Sequence, residues 1–82
     1  MASLQYLIDS ICSKLTVEAM YGLVELHLGH GAFTVDEIIP AVQSADRSLD
    51  RDSAKTLAEA AINDLANRGR LRVEAGCIHT AA

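Results

Sequence analysis

A mostly helical α+β domain closed by a small antiparallel β-hairpin is predicted by three observations. Apolar residues recur at helical spacing in the N-terminal third and again over residues 54–65. Glycines and N-capping residues punctuate these segments. After Gly69 the apolar pattern switches to a period of two. With 82 residues, 50% of them hydrophobic, the chain has the mass for one core and not for two.

The first helix is predicted over 3–14, because Leu4, Leu7, Ile8, Ile11 and Leu15 share one stripe while Gln5, Asp9, Ser10 and Ser13 lie off it. Thr16 is the N-cap of a second helix over 17–28, whose stripe of Val17, Met20, Tyr21, Val24 and Leu28 is broadened by Leu23 and Leu26. That breadth predicts a central, most buried helix. Gly29 and Gly31 stop it, and Ala32-Phe33-Thr34 has room only for a strand fragment. Thr34 and Glu37 have the spacing of a capping box that opens a third helix over 35–43, and Pro40 predicts that this helix is short or kinked.

A polar loop from Gln43 to Asp50 leads to the fourth helix, 51–67, with Ala54, Leu57, Ala58, Ala61, Ile62 and Leu65 on one stripe and Gly69 as its stop. Leu71, Val73 and Ala75 alternate with Arg72 and Glu74, Gly76 turns the chain, and Ile78 and Thr80 keep the period, so a hairpin spans 70–80. The expected core is Leu15, Met20, Val24, Phe33, Ile38, Leu57, Ile62, Leu65, Val73 and Ile78.

No apolar run approaches the roughly 18 residues of a membrane span, and no basic start precedes an apolar block, so a soluble, cytoplasmic protein is expected. Cys12 and Cys77 are too few and too far apart for a disulfide framework or a zinc knuckle, and both are expected as free thiols. Cys12, beside Ile11, is expected to be buried and inert.

Charge divides the chain. The formal net charge is −4, which argues against a domain that coats nucleic acid indiscriminately. Up to residue 45, Lys14 stands alone against Asp9, Glu18, Glu25, Asp36 and Glu37. Beyond it, Arg47, Arg51, Lys55, Arg68, Arg70 and Arg72 balance Asp46, Asp50, Asp52, Glu59, Asp64 and Glu74. The second half is therefore the expected contact surface, although mixed charges also suit a plain solvated face.

Helix, short strand, helix, loop, helix and hairpin follow one another over residues 16–80, in the segments LTVEAMYGLVELHLGHGAFTVDEI, DSAKTLAEAAINDLANRGRL and RVEAGCIH. This order resembles the winged-helix family of helix-turn-helix domains. The chain departs from the family pattern by an added N-terminal helix, by Pro40 and by its acidic balance. The resemblance implies one winged-helix domain over 1–82, with an extra helix in 1–15 and the winged-helix core in 16–80. It also implies a small DNA-binding protein of the transcription-regulator type, without cofactor. The alternative is an acidic protein-interaction module, such as a phage-type inhibitor or adaptor that docks on a basic or nucleic-acid-binding partner.

In DNA-binding members of that family the second helix of the helix-turn-helix enters the major groove and the wing touches backbone. The residues this assigns here are Arg51, Asp52, Lys55, Thr56, Glu59 and Asn63 on the fourth helix, Arg47 before it, and Arg70 and Arg72 on the wing. Arg and Asn have the donors to read guanine and adenine edges, while Lys55 and Thr56 suit phosphate. Asp50, Asp52 and Glu59 on the same surface oppose phosphate, and Asp52 and Glu59 suit a protein partner. The N-terminal stripe packs on its own domain, with a homodimer through that helix as the alternative.

His27, His30, Cys77 and His79 are residue types that bind zinc, but H-x-x-H with C-x-H is not an established ligand spacing, and no metal site is expected. The histidines read more simply as a polar helix end, and Cys77 as a small apolar residue of the sheet. Enzymatic activity is not expected either. The chain has no phosphate-cradling glycine loop, no serine elbow and no H-E-x-x-H, and Asp36-Glu37 is accounted for by capping.

Overall fold

The computed structural model describes residues 3–81; residues 1, 2 and 82 of the expected 1–82 domain lie outside the described residues. The elements are α1 (Leu4–Ile11), α2 (Val17–Leu28), β1 (Phe33–Thr34), α3 (Val35–Ala45), α4 (Arg51–Asn67), β2 (Leu71–Glu74) and β3 (Cys77–Thr80). The fold is α+β, with the strands forming one antiparallel sheet in the order β1-β3-β2. No helix is long and apolar enough to cross a membrane, among the described residues.

The caps explain why the bounds of α2 and α4 fall where the sequence places them. Thr16 accepts from the Ala19 N–H at 3.0 Å and Asp50 from the Ser53 N–H at 2.8 Å. At the far end of α4, the Arg70 N–H donates to the Leu65 carbonyl and the Gly69 N–H to the Ala66 carbonyl, each at 3.0 Å, a Schellman closure with Gly69 at φ 73°.

The first helix is shorter than expected. It ends at Ile11 because a second Schellman closure forms there: the Ser13 N–H donates to the Ile8 carbonyl at 3.0 Å and the Cys12 N–H to the Asp9 carbonyl at 3.1 Å. Cys12 occupies the left-handed position, φ 59°, that glycine usually fills, and its side chain is exposed instead of buried. A side chain in this conformation costs about 1–2 kcal/mol, part of which glycine's greater unfolded-state entropy offsets. Cys12→Gly is therefore expected to stabilise the fold by about 0.5–1 kcal/mol, and thermal unfolding of the two proteins checks it.

The third helix runs to Ala45, past the expected stop, with Pro40 inside it. Pro40 faces solvent while Ile38, Ile39 and Val42 are fully buried. Burying three branched side chains at about 1.5–3 kcal/mol each outweighs the roughly 3 kcal/mol that an internal proline costs. The expected capping box does not close: the Thr34 side chain makes no cap hydrogen bond, and its backbone is paired with Cys77 in the sheet.

The central helix is α4, not α2. It packs against α1, α2, α3 and β2 and buries Ala54, Leu57, Ala58, Ala61, Ile62 and Leu65. Its alanines let neighbouring helices approach closely on more than one side. In α2 only Met20 and Val24 are buried, and Leu26 is 65% exposed.

Of the expected core, Leu15 is only half-buried and Val73 is 46% exposed. Val73 shares a sheet face with buried Leu71 and lies opposite buried Ile78, yet it stays exposed on the outer strand of the sheet. Leu4, Ile8, Ile39, Val42, Leu49 and Leu71 join the expected residues in the core. The hairpin turns through Ala75 (φ 51°) and Gly76 (φ 79°), the two positive φ values of a type I′ turn.

Asp46 is the one buried charged residue among the described residues. It is 3% exposed, and its carboxylate accepts four hydrogen bonds. Oδ2 takes the Ser13 hydroxyl and the Lys14 N–H, each at 2.9 Å, and Oδ1 takes the Ser48 hydroxyl at 2.6 Å and the Ser48 N–H at 3.1 Å. These bonds clamp the α1–α2 linker to the α3–α4 turn. The Ser48 hydroxyl and the Lys14 N–H hold the Asp46 carboxyl far below the usual carboxylate range, against the opposing effect of burial.

Candidate functional site

Helical geometry turns the sequence positions 52, 55, 56, 59 and 63 into one stripe, and Asp52, Lys55, Thr56, Glu59 and Asn63 are all exposed on α4. The stripe exists because the opposite side of α4 carries the apolar set that the other helices cover. Its formal charge is negative, with Lys55 between two acids. The Thr56 hydroxyl donates to the Asp52 carbonyl at 2.9 Å, so it meets a ligand as an acceptor.

The bases fall into two groups at opposite ends of α4, on the order of 25 Å apart along a helix of this length. Arg47, Arg51 and Lys55 surround its first turns. Arg51 reaches Asp36 of α3 at 3.3 Å, while Arg47 and Lys55 make no ion pair among the described residues. Beyond the C-terminal end, Arg70 pairs with Glu25 of α2 at 3.0 Å and Arg72 with Glu74 at 2.8 Å. Each of these pairs is about half exposed or more, so each is weak and exchangeable. At the N-terminus of α4, hydrogen bonds from Ser53 lower the pKa of the Asp50 carboxyl.

A cluster at the α2–α4 seam was not anticipated. The Tyr21 hydroxyl donates to Asp64 Oδ2, and the Arg68 guanidinium lies 5.5 Å from the Tyr21 ring centroid. The bond to Asp64, then burial, raises the Tyr21 pKa. Tyr21 and Glu25 are four apart on α2, as are Asp64 of α4 and the Arg68 that caps it, and these matched intervals are the signal the sequence held. The cluster fixes α2 against the C-terminal half of α4.

His27 stacks edge-on against Phe33 at 5.1 Å between ring centroids. Cys77 and His79 sit on β3, opposite Glu74 and Arg72. No three of the histidine, cysteine and acidic side chains converge in a way that could hold a metal ion, among the described residues. Both cysteines are free thiols, Cys12 exposed and Cys77 half-buried. Comparison with protein-family models, with curated proteins and with solved structures finds no match to this chain.

Proposed function

We infer that the chain is a small winged-helix DNA-binding protein of the transcription-regulator type, with α4 as the recognition helix and the β2–β3 hairpin as the wing. The observation that carries this reading is the topology. A short strand after α2 joins the C-terminal hairpin as β1-β3-β2, and α3 turns directly into an α4 that presents an exposed polar stripe. Asn63 and Arg51 supply base-reading chemistry, and Arg47 and Lys55 have cationic groups ready for phosphate. Arg51, Arg70 and Arg72 become available by exchanging an exposed carboxylate for a phosphate, at a cost of about 1 kcal/mol or less each.

A second reading, an interaction module that docks on a protein, is favoured by Asp52 and Glu59 within the same stripe and by the net charge of −4. Titration of a fluorescent mixed-sequence duplex at rising salt separates the two. The DNA reading expects binding at low salt that weakens steeply as salt rises, and Lys55→Glu weakens it for every sequence while lowering the salt slope by about one. Arg51→Glu additionally blurs sequence preference. Absence of binding at low salt, together with a single stoichiometric protein recovered from host lysate and lost on Asp52→Lys with Glu59→Lys, establishes the second reading instead. If only Glu18→Lys with Glu25→Lys removes binding, the working surface is the acidic N-terminal half.

A further inference from the structure

The hairpin leaves one sheet edge open. β3 lies between β1 and β2, so β2 has a strand neighbour on one side only. Leu71↔Thr80, Arg72↔His79, Val73↔Ile78 and Glu74↔Cys77 are opposite one another across the hairpin. In a ladder closed by a two-residue turn, the flanking residues Glu74 and Cys77 form the hydrogen-bonded pair. By alternation, Arg72 and Glu74 direct their N–H and C=O to β3, whereas Val73 directs its own outward, to the open edge. Val73 is also one of three large hydrophobic side chains left exposed among the described residues.

Natural edges are blunted by brevity, charges, prolines or bulges. This one is four residues long and carries two charges, but it has no proline and no bulge. It reads Arg72-Val73-Glu74, a sequence whose charges are complementary to themselves when reversed. An antiparallel strand centred on Val73 sets Val73 opposite Val73, with two reciprocal backbone hydrogen bonds, Arg72 opposite Glu74 and Glu74 opposite Arg72. Opposite residues of neighbouring strands lie on the same sheet face within contact distance. Arg72 and Glu74 already pair within the chain at 2.8 Å, so the same two charges need only change partners.

We propose that the exposed edge of β2 pairs with β2 of a second copy of this chain, joining two three-stranded sheets across a two-fold axis at Val73. The contact is isologous and small, which makes it a weak, concentration-dependent dimer. It uses backbone groups of the wing and does not depend on what α4 binds.

Sedimentation equilibrium of the full chain tests this. The weight-average mass is expected to rise from 8.8 kDa towards twice that value as the concentration approaches the millimolar range. R72E sets Glu against Glu, and E74R sets Arg against Arg, so each variant alone is expected to associate at least about tenfold more weakly. Mixed together they restore both opposite-charge pairs, and the mixture is expected to recover the association of the original chain. V73P, which takes away the outward-facing N–H and none of the hydrogen bonds to β3, should abolish association with the far-ultraviolet circular dichroism unchanged. A mass constant at every concentration overturns the proposal. So does a dimer indifferent to R72E, as contact through α1 would give, or a mixture of R72E and E74R that fails to associate.

Discussion

Leu65→Ala is expected to lower the unfolding free energy by about 2–5 kcal/mol, the cost of lost burial together with the cavity left behind. Leu65 is fully buried on α4, and its carbonyl accepts the Arg70 N–H in the turn that starts the hairpin. A domain of this length holds roughly 4–12 kcal/mol in total, so the substitution removes a large share of its stability. Denaturant titration measures it. A midpoint equal to that of the original chain would exclude Leu65 from the core.

Asp46→Ala is expected to destabilise the fold for a different reason. The substitution removes the acceptor shared by the hydroxyls of Ser13 and Ser48 and the N–H groups of Lys14 and Ser48, and it releases the clamp between the α1–α2 linker and the α3–α4 turn. A fall in melting temperature of about 10 °C is expected for a domain of this size. Asp46→Asn does not rescue it, because an amide group offers donors where two of these donors already point.

The dependence on pH has a definite sign. The folded-state pKa of Asp46 is depressed, so its contribution is fully present above the unfolded-state value of about 3.9 and fades as pH falls from there towards the folded value. The difference in melting temperature between the original chain and Asp46→Ala is thus constant near neutrality and narrows below about pH 4. An equal difference at pH 3 and pH 7 would show that the carboxylate charge is not its source.

Local chemistry made α2, α4 and the hairpin legible in the sequence: Thr16, Asp50 and Gly69 each satisfy backbone groups a few residues away, and Gly76 marks its own turn. What escaped depends on distant partners. Asp46 reads as an ordinary loop residue in Ala-Asp-Arg-Ser, and nothing local reveals that Ser13 and Lys14 will donate to it from more than thirty residues away. The end of α1 was misplaced because a cysteine occupies a position that glycine normally announces. Leu26 and Val73 follow their periodic patterns faithfully, but periodicity assigns a face and not the extent of the layer that covers it. Among the site residues, the stripe on α4 followed from spacing alone. The ion pairs of Arg51 with Asp36 and of Arg70 with Glu25 join separate elements and depend on the packing.

The central position of α4 has a consequence for synthesis. A ribosome releases the chain from its N-terminus, so α1, α2 and α3 emerge first, bearing Leu4, Ile8, Met20, Val24, Ile38, Ile39 and Val42. Their common packing surface is the helix that begins at Arg51. Until that helix has left the exit tunnel these side chains have only one another and any holding chaperone to cover them. The core therefore closes only after α4 has emerged, and a nascent chain stalled before residue 51 carries these apolar side chains without the helix that covers them.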